Sequence, residues 1–399
     1  MRGEQNSSVS LAVGAVLLAL LTGCAATFDA PSLPTISAPE TVVPSDGLPA
    51  EVVLQDAANN LDVVEHEGEV FFAFRVAPSH FASRDAMLYV VRSADEQTWS
   101  FEASFWLETD LREPRLLSLD GRLLLYFAVL GESPLDFEPQ GMMVSERLGD
   151  GEWSEPEWLY DEGFIPWRAR VIDGTAYLIG YVGGENIYDF NEASEQVHLL
   201  TTDDGRDLRP VIPDQPVVHD GGLSEVDFAV LDDGTLVAVG RNELGDEDGW
   251  GSKICRAEAG DWGQWQCATD PRKYDSPLVF RTADDRVYLV GRRNLSETGN
   301  YDLFQRDLDP ADQTLQYELD YWQHPKRCSL WRVDPEALAV TFVLDLPSRG
   351  DTCFPSALDR GDGRFTIYNY TSPLDGPDLN WIEGQTGETR IVRVDVQVP

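Results

Sequence analysis

A hairpin phrase that recurs along the chain constrains its fold more than any other feature. The clearest copy runs from Gly222 to Glu243, where an alternating apolar segment reaches Asp233-Gly234 and a second apolar segment leads into Arg241. Alternation with period two marks half-buried strands, and Asp-Gly supplies the positive φ that a tight two-residue turn requires. The phrase therefore predicts an antiparallel β-hairpin.

Five other segments repeat this plan, which makes six copies in all: VVEHEGEVFFAFR, LLSLDGRLLLYFAV, ARVIDGTAYLIGY, LVFRTADDRVYLVGRR and ALDRGDGRFTIYNY. Intervals of roughly 50 to 75 residues are typical of β-propellers, in which each blade is one antiparallel sheet that cannot bury both faces alone. Segments such as MLYVVRS, GMMVSER and QVHLLTT supply third strands. We predict an all-β fold, a six-bladed β-propeller, with five or seven blades as alternatives.

The charge balance excludes one class of partner. The chain carries 70 acidic and 30 basic residues, a net charge of -40. Nucleic acid is not expected as a partner, because binding its phosphates depends on clustered Lys and Arg. The acidity fits either solubility in a salty habitat or a Ca²⁺-binding surface. No cofactor is expected.

Residues 1–23 have the pattern of a targeting segment. Leu11 to Leu21 is an apolar run too short to span a membrane as a mature helix, and Leu21-Thr22-Gly23-Cys24 follows it. These four residues resemble the lipobox of bacterial lipoproteins, which implies cleavage before Cys24 and acylation of that cysteine. Acyl chains would hold the protein on a membrane, and the absence of an acidic residue after Cys24 favours the outer membrane. The alternative is an ordinary secretory signal with a chance cysteine.

Residues 24–50 follow the signal and contain five prolines among Ser and Thr. Such a segment buries too little apolar surface to fold, so we predict a disordered, extended tether. The propeller domain then occupies residues 51–399.

Four cysteines remain once Cys24 carries the lipid. In an exported protein, an even number indicates disulfides. Cys255 and Cys267 flank a hairpin, so we predict one bridge between them and a second between Cys328 and Cys353. A metal site is the rival interpretation, but the chain has no Cys-x-x-Cys spacing and only five His.

A long insertion separates Asn294 from Asp351. It carries aromatic and charged residues before two strand-like segments, LWRVDP and LAVTFVLDL. It forms either an elaborated outer region of the fifth blade or a rim over the central funnel.

Polar residues that precede each hairpin turn are the candidate site. In a propeller the innermost strands line a central channel, so residues near their starts converge. These residues are Asp62, Glu113, Arg115, Trp167, Arg168, Glu225, Asp227, Asp275 and Asp351.

One of these copies is similar to the central segment of sialidases. It carries Ser224-Glu225, an Asp-Gly turn, and Arg241 sixteen residues after the glutamate. Sialidases (neuraminidases) are six-bladed propellers that cleave terminal sialic acids. The resemblance implies that Glu225 assists a tyrosine nucleophile and that Arg241 is one of three arginines that clamp the substrate carboxylate.

Turn motifs between outer strands extend this resemblance over roughly residues 55 to 397. Ser93-Ala94-Asp95 with Thr98-Trp99 looks like a degenerate Asp box, and Thr202-Asp203-Asp204-Gly205 looks like a weaker one. One departure is serious: the position matching the sialidase tyrosine is Phe354, and a phenyl ring has no oxygen with which to form a covalent intermediate. Tyr368 and Tyr370 are the nearby candidates to reach the funnel instead.

The resemblance and the pattern together give a candidate list. The substrate-binding candidates are Arg241, Arg168, Arg115, Arg75 and Arg292, and the catalytic candidates are Glu225, Asp275 and Asp351. Pairs such as Glu225 with Asp275 suit the two-carboxylate route of glycoside hydrolysis.

Taken together, the sequence predicts a lipid-anchored monomer in the bacterial cell envelope that binds or hydrolyses a glycan in its funnel. Whether it is an enzyme stays open. The alternative is a non-catalytic propeller that serves as a protein-interaction scaffold in the envelope.

Overall fold

Six antiparallel sheets form the protein in a computed structural model that describes residues 33–133, 137–184 and 194–399. Three sheets have four strands and three have five. In five of the sheets all strands are consecutive in the chain, whereas the last sheet also includes the first two strands of the chain. The first strands of the first five sheets contact one another in chain order, and the first strand of the sixth sheet contacts that of the first, so these strands surround a central channel. The predicted six-bladed propeller is confirmed.

The strands of each blade run from the channel outward. Blade one consists of β3 (Ala57–His66), β4 (Glu69–Ala77), β5 (Met87–Ser93) and β6 (Ser100–Phe105). Blade two consists of β7 (Leu111–Leu119), β8 (Arg122–Val129), β9 (Gly141–Gly149), β10 (Glu152–Trp153) and β11 (Glu157–Leu159). Blade three consists of β12 (Ile165–Ile172), β13 (Thr175–Val182), β14 (Glu195–Thr202), β15 (Arg209–Pro210) and β16 (Val217–Gly221).

Blade four consists of β17 (Leu223–Val230), β18 (Leu236–Asp246), β19 (Gly249–Ala257) and β20 (Gln266–Asp270). Blade five consists of β21 (Leu278–Arg281), β22 (Val287–Asn294), β23 (Lys326–Asp334) and β24 (Ala339–Asp345). Blade six consists of β25 (Ser356–Asp359), β26 (Arg364–Thr371), β27 (Arg390–Gln397), β1 (Thr35–Ile36) and β2 (Glu40–Val43).

The hairpin turns between first and second strands explain why the repeated phrase folds this way. In blades one to three the turn has two residues, and both have positive φ: 52° and 84° at Glu67-Gly68, 49° and 78° at Asp120-Gly121, and 49° and 80° at Asp173-Gly174. The turn at Asp233-Gly234 differs from the prediction. It spans residues 231–235, only Gly234 of the pair has positive φ, and the Asp233 side chain accepts a hydrogen bond from the Thr235 amide.

The N-terminal strands close the ring and correct one prediction. We expected a disordered tether through residue 50, but β1 and β2 pair with β27 of the last blade. Val42 and Val43 are buried there, and Glu40 forms an ion pair with Arg393 at 2.7 Å. An unpaired edge of β27 offers backbone partners that compensate the low apolar content of the segment. The predicted signal, Cys24 acylation and the first part of the tether lie outside the described residues.

The hydrophobic core lies mainly between adjacent blades. One cluster joins blades one and two through Phe71, Leu88 and Leu116, and another joins blades five and six through Leu330 and Ile367. Each sheet thus buries both faces against its neighbours, as the repeat requires.

The insertion in blade five forms α1 (Pro310–Gln323), which packs beside α2 (Trp381–Gln385) of blade six. The rim alternative is the one observed, since both helices reach the mouth of the channel. Both predicted disulfides, Cys255–Cys267 and Cys328–Cys353, are present. Within the described ranges, no helix is long and apolar enough to cross a membrane.

The predicted Asp-box turns share one hydrogen-bond pattern. Asp95 accepts from the amides of Gln97 and Thr98, and Asp204 accepts from the amides of Arg206 and Asp207. Each aspartate therefore fixes a tight turn between the third and fourth strands of its blade.

Candidate functional site

A cavity of about 510 Å³ opens where the innermost strands begin, and we call it the funnel. Residues from blades one to six and from both helices line it. Its polar and charged wall residues include Asn60, His80, Arg112, Glu113, Tyr181, Glu225, Arg241, Glu243, Lys273, Asp275, Ser276, Arg292, Glu318 and Tyr370. Its apolar and aromatic wall residues include Phe81, Leu130, Phe137, Trp322, Phe354, Trp381 and Ile382.

Unusual backbone conformations direct several of these side chains to the funnel. Asn60, Glu113, Glu225 and Ser276 have φ of 37°, 51°, 48° and 52°. The first three sit at β-bulges, where the strand register shifts by an extra residue. A bulge re-aims a side chain, and positive φ at a non-glycine residue is costly, so these positions direct side chains to the funnel at the expense of backbone strain.

Glu225, Arg241 and Asp275 form the centre of the funnel wall. Nη1 of Arg241 lies 2.9 Å from Glu225 Oε1 and 4.0 Å from Asp275 Oδ1. The amide of Ser276 donates to Glu225 Oε2 at 2.7 Å. The two carboxylates are therefore close neighbours held by one guanidinium and one backbone turn.

The environments of these two carboxylates shift their pKa values in opposite directions. Burial raises the pKa of Glu225 to about 7, and Asp275 adds to this while Arg241 opposes it. Burial also favours the neutral form of Asp275, but Lys273 and Arg292 outweigh it and hold the pKa of Asp275 below its usual value. The wall thus holds one carboxyl group that keeps its proton to higher pH than usual and one that loses its proton at lower pH than usual.

A second charged cluster anchors α1 to the funnel. Lys273 Nζ lies 2.5 Å from Glu243 and 2.8 Å from Glu318 of the helix, whose carboxylate also accepts from the Tyr301 hydroxyl at 2.7 Å. Burial raises the pKa of Glu318 to about 8. For Glu243, Arg241 and Lys273 overcome the effect of burial and hold its pKa below the usual range.

Asp351 is connected to the funnel through His80 and Tyr370. His80 Nδ1 lies 2.7 Å from Asp351 Oδ2, and the Tyr370 hydroxyl donates to Asp351 Oδ1 at 2.8 Å. Asp351 is fully buried and does not line the cavity, so it can act only through these two residues. Burial, and then Asp351, raise the pKa of Tyr370 well above its ordinary value.

Arg292 is the second predicted arginine that lines the funnel. It donates to the Thr352 carbonyl at 2.7 Å, to Asp275 at 3.2 Å and to the Tyr370 hydroxyl at 3.4 Å. Tyr368, by contrast, turns to the neighbouring blade, where its hydroxyl donates to Glu96 at 2.5 Å.

Three predicted substrate-binding arginines do not line the funnel. Arg75 is fully buried against Asp110 at 2.6 Å and donates to two carbonyls of the loop that carries His80. Arg115 is fully buried, 4.5 Å from the Phe354 ring centre and 5.0 Å from that of Trp167.

Arg168 lies farther along the channel, between Asp62 at 3.5 Å and Asp227 at 3.2 Å. Asp62, Arg168 and Asp227 therefore tie inner strands together below the funnel. The predicted polar residues therefore do not all converge at one site but form two layers. Glu113, Glu225 and Asp275 line the funnel in the upper layer, and the ion pairs of Arg168 form the lower layer.

Several wall residues were not among the predicted site residues. Glu243 stands two positions after Arg241 on β18, a spacing that places both on the same side of the strand. Lys273 stands two positions before Asp275, in the segment between β20 and β21. Glu318 lies on a helix that the sequence reading did not predict, and His80 lies on a loop. Only Glu243 had a sequence signal.

Comparisons with known proteins agree with the fold. No protein-family model matches the chain, and none of the curated proteins is similar to it in sequence. A solved protein of unknown function from Dyadobacter fermentans matches with a TM-score of 0.57 and 17% identity, over 86% of this chain and 95% of that one.

Trypanosoma rangeli sialidase in complex with the inhibitor DANA matches with a TM-score of 0.55 and 12% identity, over 85% of this chain. A mutant of that sialidase displaying trans-sialidase activity matches with the same TM-score and identity, over 92% of this chain. The chain spans 55% and 57% of these two proteins. The protein therefore has a sialidase-like six-bladed propeller fold.

Proposed function

We propose that the protein hydrolyses a glycosidic bond in the funnel, with Glu225 as the general acid and Asp275 as the second carboxylate. The observation that carries this proposal is the opposite pKa shift of two carboxyl groups that share the Arg241 guanidinium. A pair of neighbouring titratable groups with pKa values pushed apart is the usual mark of an acid and its partner.

The chemistry needs these two protonation states. Protonated Glu225 gives its proton to the glycosidic oxygen as the bond to the leaving sugar breaks. Ionised Asp275 either takes a proton from the attacking water or itself attacks the anomeric carbon, and a water later releases the sugar. Arg241 and the Ser276 amide hold Glu225 in place, which limits the reorganisation that the reaction requires.

A tyrosine nucleophile does not fit this wall. Phe354 stands where the sialidase resemblance expects the tyrosine, and it offers no oxygen. Tyr370 does reach the funnel, but its raised pKa disfavours the phenolate that would attack. The carboxylate pair is the better-supported route.

The predicted lipoprotein signal extends the proposal to location. A chain acylated at Cys24 would meet glycans of the cell envelope or of the surroundings, and its funnel would act on their ends. Replacing Cys24 would then release the chain from the membrane.

The experiment is a turnover screen with residues 25–399, which keep the compact unit Pro34–Val398. Chromogenic glycosides of neutral, amino, uronic and sialic acid sugars are tested with the wild type, Glu225→Gln and Asp275→Asn. We expect turnover of at least one substrate and a loss of about 10²- to 10⁴-fold in each variant. Glu247→Gln, an exposed change away from the cavity, serves as the control and keeps full activity.

Wild-type turnover that survives in both variants would refute the assignment of the two residues. No turnover of any glycoside would refute hydrolysis and leave the second candidate, a non-catalytic propeller that binds a glycan or a protein. Phe354 is the observation that favours this second candidate, since it removes the residue on which the sialidase reaction depends.

A further inference from the structure

The cationic groups of the funnel are already engaged by the protein. Arg241 contacts Ser224, Glu225 and Glu243, and each of its distances to these is between 2.9 and 3.2 Å. All three guanidinium nitrogens of Arg292 donate to protein oxygens. A sugar carboxylate would therefore have to displace a protein partner before it could bind either guanidinium.

Lys273 and Arg112 complete the cations of the wall, and both have protein partners as well. Lys273 lies within 2.8 Å of Glu243 and Glu318. Arg112 is paired with Asp110 and donates to the His80 carbonyl at 2.6 Å. No carboxylate clamp is thus ready among the described residues of the wall.

Three acceptor oxygens at the funnel lack a hydrogen bond within the described part of the chain, although two of them lie near a cation: Glu113 Oε2 is 3.8 Å from Arg115, and Asp275 Oδ1 is 3.7 Å from Lys273. Asn60 Oδ1, Glu113 Oε2 and Asp275 Oδ1 receive no hydrogen bond from any described residue. Asn60 and Asp275 are only 4% and 2% exposed, and both line the cavity. Buried acceptors are costly to leave unpaired, so a ligand that brings donors is favoured and one that brings an anionic acceptor is not.

The remaining wall features also suit an uncharged ligand. Trp322 and Trp381 stack with ring centres 6.0 Å apart and offer apolar surface to the funnel. Trp381 Nε1 is a buried donor without a partner among the described residues. A sugar hydroxyl can both donate and accept, and the C–H face of a sugar can pack on an indole, whereas a carboxylate only accepts.

We propose that the sugar unit bound in the funnel is an uncharged, hydroxyl-rich one whose hydroxyl groups donate to Asn60, Glu113 and Asp275, rather than a sialic or uronic acid. This inference rests on the proposed function of the funnel as a glycan site. It departs from the substrate that the sialidase resemblance implies.

The test compares neutral ligands with acidic counterparts. Methyl glycosides of glucose, galactose and mannose are titrated beside those of the corresponding uronic acids, and lactose beside sialyllactose. The readout is the indole N–H signals of Trp322 and Trp381 in NMR spectra of residues 25–399. We expect at least one neutral ligand to move these signals and its acidic partner to bind at least about tenfold more weakly.

Glu113→Gln tests the role of Glu113 in this preference, because it replaces one acceptor oxygen that lacks a hydrogen bond by a donor. The substitution should weaken the binding of the neutral ligand and reduce the ratio between its affinity and that of the acidic partner. The exposed control Glu247→Gln should change neither quantity. Equal ratios in Glu113→Gln and the wild type would overturn the role of Glu113.

The outcomes separate this inference from the proposed function. An acidic ligand that binds as tightly as its neutral partner, or more tightly, overturns the inference and leaves a glycan site in place. Indole signals that no ligand of the panel moves would overturn the proposed glycan site and the inference with it.

Discussion

Replacing Glu225 by Gln should change the pH dependence of stability, and this can be measured without a substrate. Burial raises the pKa of Glu225 from 4.5 to about 7. The folded protein therefore holds this proton more tightly than the unfolded chain does. Its contribution to stability is fully present below pH 4.5 and is lost as the pH rises to about 7. At 1.36 kcal/mol per pKa unit, the loss amounts to about 3 kcal/mol.

The amide that replaces the Glu225 carboxyl cannot titrate, so the variant lacks this loss. Urea unfolding of both proteins is followed at steps from pH 4.5 to pH 7 and above, and the difference in free energy of unfolding is plotted. Glu318, whose pKa burial raises to about 8, titrates in both proteins and cancels in the difference. Burial raises the pKa of Glu195 to about 8 and the Glu225 charge adds to this, so any difference that comes from Glu195 appears near pH 8. We expect the wild type to lose about 3 kcal/mol relative to the variant across this range.

Asp275→Asn provides an internal check, because Asp275 helps to raise the pKa of Glu225. In that background the loss should be smaller and should be complete at a lower pH. A difference between the wild type and Glu225→Gln that does not vary with pH would refute a raised pKa at Glu225. The assignment of Glu225 as the general acid would then lose its physical basis.

Two further predictions concern the N-terminal part of the chain. Val43→Ala removes buried methyl groups from β2 and should destabilise the protein by about 2 kcal/mol in urea unfolding. Val53→Ala is the matched control, because Val53 is 64% exposed, and its free energy of unfolding should change by no more than about 0.5 kcal/mol. Equal effects of the two substitutions would contradict the conclusion that β2 closes the ring of blades. Cys24→Ser should move the protein from the membrane fraction to the soluble fraction, and intact mass should show acyl groups on the wild type alone; an unchanged distribution would disprove the anchor.

The blades were predictable because their signal is local and repeated. Each inner hairpin carries its own alternation and turn residues, so one phrase identifies six sheets. The bridge between Cys255 and Cys267 was predictable for a similar reason, since the two residues face each other across β19 and β20. The strands β1 and β2 were not predictable, because their partner β27 lies at the far end of the chain and because the prolines around them, Pro34, Pro39 and Pro44, indicate an extended tether.

The candidate site was predictable only in part. Glu225 and Arg241 belong to one hairpin, and Asp275 begins the next blade, so their meeting follows from the propeller itself. The prediction that Arg115 lines the funnel was wrong because the strand register shifts between Arg112 and Arg115. The shift directs the Arg115 side chain into the buried part of the channel below the funnel. A bulge depends on tertiary pairing, and the sequence gives no local sign of it.

These bulges explain how one fold yields both a stable ring and an open funnel. An undistorted strand sends alternate side chains to opposite faces, so Glu113 and Arg115 would share one face. The extra residue and the positive φ at Glu113 separate them: Glu113 lines the funnel, and Arg115 lies buried below it beside Phe354. Glu225 and Asp227 are separated in the same way, and Asp227 pairs with Arg168 in the lower layer.

Left-handed backbone at a non-glycine residue costs roughly 1–2 kcal/mol, and the ring bears this cost at equivalent positions of several blades. The lower layer of ion pairs and the cores between blades hold the inner strands whatever residues stand at the bulges. The bulge residues can therefore change without loss of the ring. In this chain, they place carboxylates and an amide in the funnel together with Arg241, which the resemblance to sialidases assigns to a clamp for an acidic sugar. The charge of the ligand is therefore the property that most directly tests how the funnel works.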